Sequence, residues 1–149
     1  MAGHAYDSHC PFCRIVRGEI PSSKVLETDD ALAFLDINPV NPGHVLLVPK
    51  SHHLNLTELP DATAAQLGSL VPRLCRAVQA ATQADGFHLI VNNGRAAGQT
   101  VDHSHWHIIP RFSNDSVHWP WPHSQYSGDQ LSQIQLRIER ELNSPPGDG

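Results

Sequence analysis

The sequence predicts an α+β fold in which an antiparallel sheet of about five strands packs against one long helix and a C-terminal helix. Three observations lead to this prediction. Strand-like segments lie both before and after the clearest helical segment, a second helical segment follows the last strand, and the joins between neighbouring segments have hairpin length. A doubly wound parallel sheet would instead need a crossover, usually a helix, between successive strands.

Five segments have the composition and spacing of β-strands. The first two, residues 24–27 and 31–37, are separated by three residues that could form a hairpin turn. The third, residues 44–48, follows a segment with two prolines and a glycine, which is typical of a turn. Residues 87–91 and 101–111 complete the predicted sheet.

The long helix is predicted from apolar residues that recur at helical spacing, namely Leu67, Leu70, Val71, Leu74, Cys75 and Val78. We expect this helix to begin at a capping box formed by Thr63 and Gln66, or at Asp61, and to stop at Gly86. Pro72 removes a backbone donor from the middle of the helix, so a kink is expected there.

A last helix is predicted over residues 127–142, with a capping box formed by Ser127 and Gln130. Its apolar face would consist of Leu131, Ile134, Ile138 and Leu142. The residues that follow are rich in proline and glycine, so residues 143–149 are predicted to be a disordered tail.

The chain is predicted to form one domain, because 149 residues are enough for a single core. An N-terminal segment, residues 1–9, precedes the predicted domain at 10–142. Within that domain, a core at 10–111 is followed by a C-terminal extension at 112–142 that carries the last helix.

Composition excludes several classes of protein. The net charge of −5 argues against a protein that coats nucleic acid, and no apolar run is long enough to span a membrane. Three cysteines, two of them only three residues apart, do not form a disulfide framework, and the N-terminus lacks the features of a signal peptide. A reducing cytoplasm is therefore expected. The chain has eleven histidines, where an equal share among residue types would give about seven.

Residues 99–111, which read QTVDHSHWHIIPR, hold the most informative pattern. On a strand, side chains alternate, so His103, His105 and His107 would point to one face. This face could be an exposed polar surface, a metal site or a nucleophilic site. Consecutive residues on one face lie about 6.5–7 Å apart, so a single metal would need a tight bend to bind all three. A neutral imidazole can attack phosphorus and leave again when protonated.

The pattern QTVxHxHxH resembles the signature of the histidine-triad (HIT) family of nucleotide hydrolases and transferases. Other segments are similar to family motifs in the same order: FCRIVRGEIP at 12–21, AFLDI at 33–37 with Pro39, PGHVLLVPK at 42–50 with His52, and Val91 and Asn92 with Gly94. The resemblance runs from about Cys10 to Arg111. Residues 109–111, which read IPR, and the predicted C-terminal helix are closer to Fhit-like and general bacterial members, whereas residues 118–120 are similar to the Hint branch, so both branches stay open. The CxxC pair at the N-terminus resembles prokaryotic members.

The resemblance implies roles for the three histidines. His105 would be the nucleophile that attacks the α-phosphorus of a nucleoside monophosphate derivative, giving a nucleotidyl-histidine that water then hydrolyses. The backbone carbonyl of His103 would hold the Nδ1 proton of His105, and His107 would contact the phosphate and assist the leaving group. A histidine at the third position points to a hydrolase rather than to the uridylyltransferase branch, which has glutamine there.

The resemblance also implies a nucleotide pocket. Gln99, Gly98 and Thr100 would surround the phosphate, Asn92 would make a polar contact, and Asp36 would accept hydrogen bonds from both ribose hydroxyls. An apolar slot for the base would be formed by Phe12, Ile15, Ile20, Phe34 and Ile37. The remaining histidines, including His44 at the start of a strand, are expected to serve packing or to be solvated.

Cys10 and Cys13 have the spacing of metal ligands, although one such pair is weak evidence by itself. The resemblance implies a structural zinc site completed by His52 and His103, with His53 as an alternative ligand. This zinc would tie the N-terminal segment to the triad and would take no part in the covalent step.

The predicted function is thus hydrolysis of purine nucleotide phosphoramidates, dinucleoside polyphosphates or related compounds by a homodimer that shares a sheet. The residues His118, Trp119 and Pro120 are similar to the tail of the Hint branch, where a tryptophan approaches the pocket. Two alternatives are a nucleotidyl transferase or phosphorylase, and a nucleotide-binding regulatory module with incidental turnover. Neither a nucleic acid nor a membrane is expected as a partner.

Overall fold

Five strands form a single antiparallel sheet in the computed structural model, which describes residues 3–144. The strands are β1 (Lys24–Glu27), β2 (Ala31–Leu35), β3 (Val45–Pro49), β4 (Gly86–Val91) and β5 (Trp106–Arg111). They lie in the order β1-β2-β3-β5-β4, and every neighbouring pair is antiparallel. The predicted α+β class with a five-stranded antiparallel sheet is therefore confirmed.

Three helices accompany the sheet: α1 (Pro11–Val16), α2 (Asp61–Thr82) and α3 (Gln130–Asn143). Two short 3₁₀ turns, Leu56–Glu58 and Arg95–Ala97, lie in the loops. Helix α1 was not predicted, because six residues are too few to show helical periodicity. None of the helices within residues 3–144 is long and apolar enough to cross a lipid bilayer.

The two faces of the sheet are covered by different helices. Val45 and Leu47 of β3 pack into a core with α2 and α3, whereas Leu46 and Val48 pack into a second cluster with Phe12 of α1. Because both faces are covered, β2 and β3 are buried along their whole length instead of alternating between buried and exposed residues. The smaller cluster, on the α1 side, lies on the face that carries the candidate site.

The ends of α2 differ from the prediction. The helix begins at Asp61, before the expected capping box of Thr63 and Gln66, so only the alternative start at Asp61 is right. It ends at Thr82 because Gln83 adopts a left-handed conformation, with a φ of 57°, and its N–H bonds back to the helix. Gly86, the predicted stop, is instead the first residue of β4.

Two other boundaries are also corrected. Strand β5 begins at Trp106 and not at 101, because the N–H groups of His103 and Ser104 donate to the carbonyls of Val101 and His53 instead of to a neighbouring strand. Helix α3 begins at Gln130, later than predicted.

At its other end, α3 includes Asn143, which the sequence had assigned to the tail. The predicted disordered tail otherwise falls on Ser144, which caps α3, and on residues 145–149, which lie outside the described part of the chain.

Candidate active site and metal cluster

His105 lies just before β5, and its ring is bonded to the backbone two residues earlier in the chain. Its Nδ1 is 2.7 Å from the backbone oxygen of His103. A carbonyl can only accept a hydrogen bond, so Nδ1 carries the proton and Nε2 carries the lone pair. Burial lowers the pKa of His105, while the bond to His103 and the charge of Asp36 act in the opposite direction. The neutral ring with a free Nε2 is the form that a nucleophile needs.

The tautomer of His107, on β5, is set by His44, the residue just before β3. The N–H of Val40 donates to Nδ1 of His44 across 3.1 Å, so a neutral His44 carries its proton on Nε2. That Nε2 lies 2.9 Å from Nδ1 of His107, which must then accept. The proton of His107 is therefore on its Nε2, a buried atom with no hydrogen-bond partner among residues 3–144.

Burial keeps both imidazoles of this pair uncharged. Burial, together with a smaller effect of neighbouring histidines, lowers the pKa of His44 to about 3 and that of His107 to about 3. At neutral pH the pair thus has one N–H donor without a partner among the described residues, at Nε2 of His107, whose side chain lies beside the cavity next to His105. The rings of His105 and His107 are 4.9 Å apart.

His44 was expected to serve packing, but its ring bonds to that of His107. His44 lies two residues before Leu46, the register partner of His107, and therefore on the same face of the sheet. Finding this relationship requires knowing that β3 pairs with β5, two strands more than fifty residues apart in the chain.

A cavity of about 730 Å³ opens beside the two imidazoles. All nine residues predicted to bind the nucleotide line it: Phe12, Ile15, Ile20, Phe34, Asp36, Ile37, Asn92, Gly98 and Thr100. His105 and His107 line it too, whereas Gln99 and His103 do not. Phe12 and Phe34 are buried at its floor, while Ile37 is 65% exposed, so the apolar slot opens to solvent at Ile37.

Asp36 follows β2 at the edge of this cavity. One carboxylate oxygen accepts the N–H of Asn38 at 2.9 Å, and the other lies 3.9 Å from Nε2 of His44. A carboxylate has about four lone-pair positions, so Asp36 retains the capacity to accept two further hydrogen bonds.

The side chain of Gln99 holds the loop before the triad in place through hydrogen bonds to the backbone. Its side-chain oxygen accepts the N–H of Gly94 at 2.7 Å, and its amide donates to the carbonyls of Leu54 and Val101. Gly98 adopts a φ of 92°, a left-handed conformation that favours glycine. Gln99 therefore fixes the loop that lines the cavity and does not itself face into it.

An aromatic segment closes one side of the cavity. The ring of Trp121 lies 5.1 Å from that of His107, and the ring of Trp119 lies 5.2 Å from that of Trp121. The segment is anchored on one side by the ion pair of Asp115 with Arg111 and on the other by Ser124, whose hydroxyl donates to the carbonyl of Pro39.

Four potential metal ligands form a separate cluster behind His105. Cys10, Cys13, His52 and His103 each contribute one atom, and these atoms all lie within 4.8 Å of one another. The Sγ of Cys10 is 3.3 Å from Nδ1 of His103, and the Sγ of Cys13 is 3.3 Å from Nδ1 of His52. Two sulfurs and two imidazole nitrogens form one of the usual tetrahedral ligand sets of zinc.

The surroundings of the cluster favour a metal. The Nε2 of His103 bonds to the carbonyl of Pro49 at 2.8 Å, which leaves Nδ1 as the free ligand atom. Backbone N–H groups of Cys13 and Asp7 point at the sulfurs of Cys10 and Cys13 respectively, at 3.4 Å each. His53, the alternative ligand, lies outside the cluster.

Comparison with known proteins identifies the family. Residues 17–114 match the family described as HIT domain. The chain is 43% identical over 134 residues to the adenylylsulfatase HINT3 of Arabidopsis thaliana, covering 90% of this chain but only 64% of that protein. It is 42% identical over 134 residues to the adenosine 5'-monophosphoramidase hnt1 of Schizosaccharomyces pombe, covering 89% of this chain and 98% of that protein.

Solved structures agree with this identification. A HIT-like protein from Bartonella henselae superposes with a TM-score of 0.81 and 36% identity, covering 92% of this chain and 99% of that one. A zinc-bound histidine triad family protein from Mycobacterium smegmatis superposes with a TM-score of 0.79 and 34% identity, covering 90% and 93%. The chain therefore belongs to the HIT, or histidine-triad, family.

Proposed function

We propose that this protein is a hydrolase that releases a nucleoside 5'-monophosphate from its phosphoramidate, from a dinucleoside polyphosphate or from a related derivative. One observation carries the proposal: two neighbouring imidazoles are fixed in complementary tautomers. Nε2 of His105 offers a lone pair, and Nε2 of His107 offers a proton. Relatives named as adenosine 5'-monophosphoramidases support a purine nucleotide as the substrate.

The reaction would take place in two displacements at the α-phosphorus. In the first, Nε2 of His105 forms a bond to phosphorus, and the bond to the leaving group breaks with its electron pair. The leaving atom takes a proton from solvent, while the Nε2–H of the neutral His107 would donate a hydrogen bond to it and keep its own proton. In the second, water attacks phosphorus and returns a proton to solvent, the bond to His105 breaks, and the monophosphate is released.

The bond from His105 to the His103 carbonyl would stabilise the positive charge that the ring gains when it is phosphorylated. The base would lie in the apolar slot and the ribose hydroxyls on Asp36. Asn92, Thr100 and the backbone of Gly98 would surround the phosphate, while Gln99 would act through the loop that it holds.

A substrate panel tests this function. Adenosine 5'-phosphoramidate, its guanosine counterpart and diadenosine polyphosphates are each incubated with the protein, and release of the monophosphate is followed by chromatography. We expect release from at least one of them, and His105→Ala should reduce the rate by about four orders of magnitude while nucleotide binding stays measurable.

The same assay decides between the alternatives. A phosphorylase would give a nucleoside diphosphate when inorganic phosphate is added, and a regulatory module would bind nucleotide without turnover that depends on His105. Either result would contradict the hydrolase.

We also propose that Cys10, Cys13, His52 and His103 hold one zinc ion with a structural role. Four protein ligands would complete a tetrahedral site and leave no open position for substrate. When bound, zinc would keep both thiols as thiolates and connect three separate segments of the chain. The zinc-bound relative supports this choice of metal.

We further propose a homodimer, in which the β4 edges of two copies meet and extend the sheet. β4 is an edge strand whose Phe87 and Leu89 are 42% and 45% exposed, an arrangement that a lone sheet usually avoids. The three free cysteines agree with a reducing compartment, and we propose the cytoplasm.

A further inference from the structure

We propose that the Cys/His cluster positions the nucleophile: when it holds its metal, it fixes the ring of His105 through the carbonyl of His103 and the ring of Phe12. This inference rests on the proposed function, because it assumes that His105 attacks the substrate. It adds that the metal content of the protein sets the rate of the covalent step as well as the stability of the fold.

His103 belongs to both sites at once. Its ring contributes Nδ1 to the cluster, 3.3 Å from the sulfur of Cys10 and 3.6 Å from that of Cys13. Its backbone oxygen accepts the proton that determines the tautomer of His105. The ring and the carbonyl of one residue are joined by three bonds, so the position of the ring constrains the carbonyl to which His105 is bound.

Phe12 provides the second connection. It lies between the two thiols on α1, and its ring meets that of His105 edge-to-face at 5.0 Å, with an interplanar angle of 81°. The same ring contacts His103 at 5.9 Å and Phe34 at 5.6 Å. Because Cys10, two residues before it, and Cys13, directly after it, are both proposed ligands, binding of a metal would fix the turn of helix that carries Phe12.

Residues 101–105, which connect the cluster to β5, belong to no strand. Their bonds come from loops and side chains: Gln99 donates to the carbonyl of Val101, and the ring of His103 bonds to the carbonyl of Pro49. The N–H of Ser104 donates to the carbonyl of His53, the residue after a ligand. Without a metal, the four side chains would be connected only by weak hydrogen bonds between thiols and imidazoles. We therefore expect loss of the metal to loosen the carbonyl of His103, the ring of Phe12 and, through both, His105.

The first experiment compares zinc-loaded, chelator-stripped and zinc-reloaded protein. NMR of ¹⁵N-histidine-labelled protein detects the Nδ1 proton of His105, and the His105→Ala variant assigns it. Single-turnover kinetics with adenosine 5'-phosphoramidate measure the covalent step, and calorimetry measures AMP affinity. We expect stripping to abolish the proton signal and to slow the covalent step about tenfold or more, with a smaller loss of AMP affinity, and reloading to restore all three.

Stripped protein that stays folded and keeps both the proton signal and the rate within about twofold would overturn the proposal. Purified protein that contains no metal and accepts none would overturn it as well. If no nucleotide is turned over by any form, the proposed function fails, but the proton signal still decides whether the cluster holds His105.

The second experiment keeps the metal in place, so that it remains informative if stripped protein unfolds. Phe12→Leu removes the edge-to-face contact with His105 but retains an apolar wall. Phe34→Leu is the matched control, since Phe34 lines the same cavity and contacts Phe12 but belongs to no ring pair with His105. With zinc content measured in both, we expect KM to rise in each and kcat to fall about fivefold or more further in Phe12→Leu than in Phe34→Leu. Equal kcat values in the two variants would overturn the role of Phe12.

Discussion

His44, the residue just before β3, has its Nε2 2.9 Å from Nδ1 of His107 on the neighbouring strand β5, and this one contact decides which nitrogen of His107 carries a proton. The direction of this bond is set by Val40, whose N–H donates to Nδ1 of His44 and so leaves the proton of His44 on Nε2. The position of the proton on His107, which lines the cavity, is therefore set by a residue outside the triad.

The first prediction concerns this chain of hydrogen bonds. His44→Ala removes the donor to Nδ1 of His107, which can then hold its proton on the wrong nitrogen. We expect kcat for monophosphate release to fall about 10–100-fold, whereas AMP affinity changes much less. His44→Gln, which retains an amide donor, should recover part of the loss. A His44→Ala variant with the kcat of the unmodified protein would show that the tautomer of His107 is set elsewhere.

The second prediction concerns stability below neutral pH. The pKa of His44 and that of His107 are both about 3 in the folded protein, against an ordinary value of 6.5. Between these values the unfolded chain binds protons that the folded protein excludes, so the free energy of unfolding falls as pH decreases. Each group contributes a slope of up to about 1.4 kcal/mol per pH unit.

Urea unfolding at pH 7, 6 and 5 measures this slope. The groups that face the pair are Asp36, His105 and His123, and of these the carboxylate of Asp36 alone favours protonation of His107. His44→Gln removes one titrating group and should therefore flatten the slope. An unfolding free energy that is constant from pH 7 to pH 5 would contradict the burial of two neutral imidazoles.

Local pattern was enough to predict much of the fold. The strands around residues 24–48 and the apolar face of α2 follow from periodicity and turn residues, and the structure has them close to the predicted positions. The errors lie at boundaries, where a tertiary contact replaces the expected signal. At the end of α2, Gln83 adopts the left-handed conformation that glycine would have supplied. The strand expected from 101 begins only at Trp106, because the side chain of His103 lies beside the two cysteines.

The candidate site shows the same difference between local patterns, which are visible in the sequence, and tertiary contacts, which are not. The three triad residues are recognisable because they lie close together in the chain, and the residues that line the cavity follow from family motifs. His44 was missed because its role depends on the pairing of β3 with β5. Gln99 was expected at the phosphate, and only its hydrogen bonds show that it supports the loop from behind.

The third prediction concerns the ribose. Asp36→Asn keeps the shape of the side chain but replaces one acceptor oxygen with an amide donor and removes the charge. If Asp36 accepts both ribose hydroxyls, AMP affinity should fall about tenfold, and the preference for AMP over 2'-deoxy-AMP should shrink. Calorimetry with both nucleotides measures this.

A control variant separates this effect from simple electrostatics. Asp102→Asn removes the same charge beside the triad, but Asp102 is exposed and does not line the cavity. It should leave both affinities within about twofold of the original values. An Asp36→Asn variant that weakens both nucleotides equally would argue that Asp36 acts through its charge and does not bind the ribose.

The fourth prediction concerns the exposed edge of the sheet. If β4 strands of two copies meet, Leu89→Glu would place a charge in the interface, where removing it from water has a large cost. We expect light scattering to give twice the mass of one chain for the unmodified protein and a single-chain mass for Leu89→Glu. Leu136→Glu is the matched control, because Leu136 is also an exposed leucine, 54% accessible, but lies on α3 away from β4. It should remain dimeric, and a Leu89→Glu variant that also stays dimeric would exclude the β4 edge as the interface.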